Sequence, residues 1–170
     1  MERLTNRQIL EAGLDDWRQL AQGLHARFRT GDLASGATFV TAVAAVGQQA
    51  GHHPEVRLAP PWVELKLTTH EDGWWVTERD VDLARQISQI AAQQGFRPDP
   101  GGVAQLELAL DSAAFAAQGR FWAALLTGSE DSVVHGDVMD PDSRVPNLWF
   151  QETTARGAAP AFPFRSLAAA

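Results

Sequence analysis

The chain has 170 residues, 45% hydrophobic and 21% charged, which suits one full core with at most a small second module and excludes a disordered profile. Its net charge of -7 divides into -3 over residues 1–95 and -4 over residues 96–170, so neither part offers the basic patch that direct nucleic-acid binding needs. There is no cysteine, which excludes disulfides, thiolate nucleophiles and Cys-ligated zinc.

The opening MERLTNRQIL lacks the long apolar stretch of a secretory signal, and no run approaches the ~18 apolar residues of a membrane span. The expectation is a cytoplasmic protein with no membrane partner. Thr5 through Gln8 form a capping box, and Ile9, Leu10 and Leu14 follow at roughly helical spacing, predicting a short helix that ends near Gly13. From Trp17 the period changes to two: Leu20, Leu24, Ala26 and Phe28 alternate with mostly polar residues, as in half-buried strands, with Gly23 marking a bulge or turn.

Asp32 can cap a second helix whose apolar stripe runs through Phe39, Val40, Val43, Ala44, Val46 and Gly47 and stops near Gly51. Val56 and Leu58 then precede Pro60-Pro61, and Val63, Leu65, Leu67 and Thr69 alternate with Trp62, Glu64, Lys66 and Thr68 in the clearest strand of the chain. Thr77 caps a third helix with Asp80 three residues on; Val81, Leu83, Ala84, Ile87, Ile90 and Ala91 form its buried face, and it runs to about Gly95. Helices alternating with paired strands over short connections predict an α+β layer, an antiparallel sheet covered by helices on one face, over residues 1–95.

FRPDPGG, residues 96–102, concentrates Pro and Gly and reads as a linker. A second module over residues 103–154 follows. It has a strand at Leu106 to Asp111, a helix from Ala113 to Leu126, and strand-like pieces at Ser132–Val138 and Pro146–Gln151 around the turn Asp140-Pro141-Asp142-Ser143. The Ala/Pro-rich stretch 155–170 is expected to be a loosely ordered tail.

Four of the five histidines, His25, His52, His53 and His70, fall in the first module. His52 and His53 end the second helix, where Pro54 forces a turn, and His70 ends the best strand, so sheet pairing can bring the two ends together. Imidazole exchanges protons near neutral pH, and a three-histidine cluster suits general acid–base chemistry without a cofactor. Two other readings stand beside it: a helix C-terminus where charged histidine meets the dipole, and a zinc site, disfavoured because adjacent side chains point in different directions. His25 and His135 are read as ordinary residues.

GHHPEV at 51–56, LTTHEDG at 67–73 and TERDVDLARQI at 77–87 together resemble the pterin-4a-carbinolamine dehydratase family, the likeness covering about residues 4–94. It implies a four-stranded antiparallel sheet with three helices on one face. It also implies removal of water from 4a-hydroxytetrahydrobiopterin to give quinonoid dihydrobiopterin, with no metal and no cofactor. His52 and His70 would be the acid/base pair and His53 would hold the pterin; Gly51, Thr68, Thr69, Glu71 and Trp62 would line the pocket. Asp80 matches an acidic position of the family motif and is read first as part of the helix cap. Family members commonly form dimers and tetramers, so a homo-oligomer is expected, and relatives that serve as dimerisation partners of transcription factors give a second reading, a non-catalytic binding module.

The sequence departs from the family pattern in three places. Gln48 stands where an acidic residue usually precedes the first motif histidine by four, Pro60-Pro61 replaces an aromatic, and Trp74-Trp75 replaces a small, Gly-containing turn. Residues 103–152 resemble half of a vicinal-oxygen-chelate, glyoxalase-like domain, a small βαββ-type module. That likeness implies a metal cleft completed only by pairing between chains, with Glu107 at a first-strand position where such families place a ligand.

Overall fold

The capping signals of the sequence set the helix starts in the computed structural model, which describes residues 2–21, 23–71, 73–112, 115–152 and 164–168. Helix α1 spans Asn6–Glu11; the Thr5 N–H donates to Gln8 Oε1 at 2.9 Å and the Gln8 N–H returns a 3.3 Å bond to the Thr5 hydroxyl. Helix α2, Leu33–Ala50, begins where the Asp32 carboxylate accepts the Ser35 N–H at 2.7 Å. In α3, Glu78–Gln93, the Thr77 N–H donates to Asp80 at 2.8 Å. Each bond satisfies a helix-end group that has no partner inside the helix.

Strands β1 (Trp17–Leu20), β2 (Gly23–Arg29), β3 (Glu55–Ala59) and β4 (Trp62–Leu67) form an antiparallel sheet in the order β1-β2-β4-β3. The register pairs Ala26 with Leu65 and Phe28 with Val63, so every second residue faces the same way. That face joins Ile9, Phe39, Val43, Val81, Ala84 and Ile87 from the three helices in one buried cluster. At its centre the fully buried Phe28 ring lies edge-to-face between Trp17 at 6.4 Å and Phe39 at 5.4 Å. The other face of the sheet is polar: Arg27 pairs with Glu64 at 2.6 Å and Lys66 with Glu55 at 3.0 Å.

The structure corrects the reading of residues 96–102 as a linker. Arg97–Pro98 form β5, which pairs with Phe28 and Arg29 of β2 beyond the end of β1, and Pro100–Gly102 make a 3-10 turn. The Asp99 N–H donates to the Arg27 carbonyl at 2.7 Å, the Asp99 carboxylate pairs with Arg29 at 2.8 Å, and Phe96 packs edge-to-face on Phe39. β1 reaches only Ala26, which leaves polar backbone of β2 for this segment to satisfy, and its Pro and Gly do not prevent that.

The chain divides into two units, Met1–Ala104 and Gln105–Leu167. In the second, β6 (Ala104–Ser112), α4 (Phe115–Thr127), β7 (Val133–Val134), β8 (Asp137–Val138), β9 (Asn147–Glu152) and β10 (Phe164–Ala168) give a sheet ordered β10-β6-β9-β8-β7. β6 and β9 are parallel, Leu108 opposite Leu148 and Leu110 opposite Phe150, and these residues pack with Ala123, Trp122 and Leu126 of α4. The expected βαββ module, with three strands, is therefore a five-stranded sheet. His135 and Gly136, with φ of 53° and 94°, turn the stretch around Ser132–Val138 into the hairpin β7–β8. Of the expected loose tail, residues 155–163 and 169–170 lie outside the described residues, as do Ala113 and Ala114 at the expected helix start; Phe164–Ala168 is a strand that gives β6 a second neighbour. Among the described residues no helix is long and apolar enough to cross a membrane.

Phe28→Ala removes the ring around which the first core is built. Urea unfolding is expected to show a loss of about 3–5 kcal/mol; a loss below about 1 kcal/mol would mean that the aromatic stack does not centre this core.

Candidate functional site

The turn that carries His52 and His53 is built by two glycines. Gly51 takes a left-handed conformation, φ 59° and ψ 28°; its N–H donates to the Gln48 carbonyl, and the His52 N–H reaches back to the Gly47 carbonyl at 3.1 Å. This is the Schellman pattern of helix closure, and a side chain at Gly51 would strain it. Gly47 is needed for space: a Cβ there would lie 3.0 Å from the His52 carbonyl oxygen and 3.3 Å from His53 Nδ1. The His-His-Pro turn thus lies directly against the last turn of α2.

The His52 side chain is buried, and its Nε2 lies 2.7 Å from Asp80 Oδ1. The other oxygen, Asp80 Oδ2, accepts the Thr69 hydroxyl at 2.8 Å and the Thr77 N–H at 2.8 Å, with the Thr77 hydroxyl at 3.0 Å. Burial pushes the Asp80 carboxyl up, but the bonds from His52, Thr77 and Thr69 outweigh it and hold the group below its ordinary range. With Asp80 ionised, the neutral His52 ring is assigned as the Nε2–H tautomer, which leaves Nδ1 as its proton acceptor.

His70 is exposed at the end of the segment that β4 leads into, and the residues on both sides of it are tied to the His52 turn. Before it, Thr69 bonds Asp80, which bonds His52. After it, the Glu71 carboxylate lies 3.3 Å from the Arg79 guanidinium, which also donates to the Gly51 carbonyl. Sheet register explains the approach, since Glu55, just after the His-His-Pro turn, pairs with Lys66, just before Thr68. The Thr68 hydroxyl, also buried, lies 3.5 Å from the Trp75 carbonyl.

The structure therefore gathers Gly51, His52, Thr69 and Glu71 into one bonded network that brackets His70, with the exposed His53 next to His52. Trp62 does not join it. It opens β4, six residues and about 20 Å of strand before Thr68, and its ring lies under the guanidinium groups of Arg27 at 4.6 Å and Arg57 at 5.2 Å. Trp62 is a cross-strand partner of arginine and not a lining residue of this group. Sequence reasoning gave Arg79 no role although it lies in the run TERDVDLARQI, and took Asp80 first as a cap; its place at the third position of α3 also aims it at His52. Among the described residues no group of three or more His, Cys, Asp or Glu side chains is placed to hold a metal ion.

The family model described as Pterin 4 alpha carbinolamine dehydratase matches residues 2–90. A candidate pterin-4-alpha-carbinolamine dehydratase of Rhodopseudomonas palustris is 39% identical over 99 residues, which is 56% of this chain and 97% of that protein. A protein of the same description from Thermosynechococcus vestitus is 36% identical over 80 residues, 47% of this chain and 83% of its own. Among solved structures, a transcriptional coactivator/pterin dehydratase of Brucella melitensis superposes with a TM-score of 0.50 at 31% identity, covering 53% of this chain and 99% of that one.

His25 stands apart from this group, on the polar face of the sheet opposite Lys66. Burial, then the Lys66 charge, lowers its pKa from 6.5 to about 4, and its Nε2 has no hydrogen-bond partner among the described residues. The folded state thus resists a proton that the unfolded chain accepts. Stability is full above pH 6.5 and falls as the pH drops toward 4, by up to about 3 kcal/mol. Urea unfolding at pH 7, 5.5 and 4.5 is expected to show this decline and its flattening in His25→Leu; equal declines in both proteins would rule it out.

Proposed function

Because the chain belongs to the pterin-4a-carbinolamine dehydratase family, we propose that its first unit dehydrates 4a-hydroxytetrahydrobiopterin to quinonoid dihydrobiopterin. The observation that carries the reading is the buried His52–Asp80 pair, tied through Thr69 and Arg79 to both neighbours of His70. In the proposed reaction His70, exposed and able to take a proton from water, donates it to the 4a-hydroxyl as the C4a–O bond breaks. His52, with Nε2 committed to Asp80, accepts the N5 proton at Nδ1, and the electron pair left on N5 forms the C4a=N5 double bond. One proton enters and one leaves, water departs, and no metal or organic cofactor is required. His53 holds the pterin beside Gly51, Thr68, Thr69 and Glu71.

A positioned acid contributes about 10²–10⁴-fold, and Asp80 adds orientation by fixing the His52 tautomer. A second reading, a binding or dimerisation module without turnover, draws on the coactivator description of the Brucella relative. In either case we propose a cytoplasmic homo-oligomer. For the second unit, the β-α-β-β-β order of β6 to β9, with β6 and β9 parallel and β10 added beside β6, supports the likeness to half of a glyoxalase-type domain. Strand alternation turns Glu107 away from the face where Leu108 and Leu110 pack on α4.

The test follows dehydration of a 4a-hydroxytetrahydropterin by absorbance against its spontaneous rate. The native protein is expected to accelerate it, His70→Ala to lose about 10²-fold or more of the acceleration, and Asp80→Asn to lose tenfold or more. A folded native protein that adds nothing to the spontaneous rate would overturn the dehydratase in favour of the binding module.

A further inference from the structure

Trp74 lies four residues after His70, and its ring meets the His70 imidazole. Thr69 and Trp75 exchange two backbone hydrogen bonds, 2.8 Å and 3.1 Å, closing the turn between them. The residues just inside an antiparallel bridge place their side chains on one side, which brings His70 and Trp74 together. Their ring centroids are 4.6 Å apart with planes at 87°, an edge-to-face contact. The indole is itself anchored: the Lys66 ammonium lies 5.2 Å from its centroid, and Lys66 is pinned by Glu55 at 3.0 Å across the β3–β4 pair.

An exposed histidine ordinarily samples several rotamers. Here Thr69 before His70 is held by Asp80 and the Glu71 side chain after it meets Arg79, while among the described residues the imidazole packs on the Trp74 ring, which is backed by an anchored cation. We propose that Trp74 is a positioning residue for His70: its indole selects the imidazole orientation that faces the substrate, at the end of a stack running Glu55, Lys66, Trp74, His70. This rests on the dehydratase reading for its kinetic consequence only, because the orientation of the ring exists without substrate. The contact acts on chemistry and not on binding, so its loss lowers kcat and leaves KM nearly unchanged. Phenylalanine keeps the edge-to-face geometry and rescues.

The test uses the full chain with labelled histidine, comparing native protein, Trp74→Phe and Trp74→Ala by imidazole NMR, with the His70 signal assigned through His70→Ala. In the native protein the His70 ring protons are expected to be displaced by the indole ring current. The displacement disappears in Trp74→Ala and persists in part in Trp74→Phe, while the signals of His25, His52, His53 and His135 stay in place and report that the variants fold. In the dehydration assay, Trp74→Ala is expected to lower kcat about three- to tenfold with KM within about twofold, and Trp74→Phe to restore at least half of the native kcat. His70 signals that are the same in native protein and Trp74→Ala would overturn the proposal, as would a loss of kcat that phenylalanine does not repair or an effect confined to KM. A native protein with no dehydratase activity would defeat the function proposed above, and the histidine signals alone would then decide whether Trp74 orients His70. Should Trp74→Ala fail to fold, Lys66→Met, which leaves the indole without its anchoring cation, is expected to shift the His70 signals in the same direction by a smaller amount; no shift would count against the stack.

Discussion

One buried carboxylate holds the first unit's site together. Asp80 receives the imidazole of His52 from the turn after α2, the hydroxyl of Thr69 from the segment after β4, and the N–H of Thr77 at the start of its own helix. A buried ionised carboxylate without partners would cost several kcal/mol, so each donor is needed to keep it charged in place. The carboxyl stays below its ordinary range although burial pushes the other way, which indicates that its donors prevail. Because those donors come from three separate elements, satisfying one side chain fixes three backbone segments relative to one another. The helix cap, the histidine tautomer and the placement of His70's neighbour are therefore one constraint.

Much of this was legible in the chain. Thr5, Asp32 and Thr77 announced helix starts because caps are local chemistry, and the alternation from Val63 to Leu67 announced a half-buried strand because its period is intrinsic to the backbone. The histidine turn could be placed because Gly51 and Pro54 leave few conformations between them. What the sequence hid was long-range. Nothing near Arg79 signals that its guanidinium bridges Gly51 and Glu71, and nothing around Phe96 to Asp99 distinguishes a Pro/Gly linker from a segment that satisfies the unpaired part of β2. Trp62 was misplaced for a similar reason: it is near the histidines along the chain, but an extended strand carries it away from Thr68 by its full length.

The family match ends at residue 90, shortly before the chain leaves α3. Beyond that point β6 and β9 run parallel, as two strands joined through a helix and a hairpin must be if they are to lie side by side with the helix covering one face. This topology is independent of the antiparallel layer that precedes it. The two units accordingly have separate hydrophobic clusters, one around Phe28 and Phe39 and the other around Leu110 and Leu148. The second unit is thus defined by its strand order and its own small core, whereas the first unit's family match comes with the side chains gathered around His70.

Gln48 shows why position in a motif and position in space have to be separated. An acidic residue four places before His52 would sit on the exposed side of the last turn of α2, where Gln48 contributes its carbonyl to the Gly51 cap. The carboxylate that bonds His52 comes instead from α3, buried and held by three further contacts. Substitution at position 48 therefore leaves the orientation of His52 untouched. A charge there would act through solvent, where screening weakens it, while Asp80 acts across 2.7 Å in a water-poor interior. The difference in dielectric surroundings, more than the count of acidic residues near the histidines, decides which carboxylate governs the site.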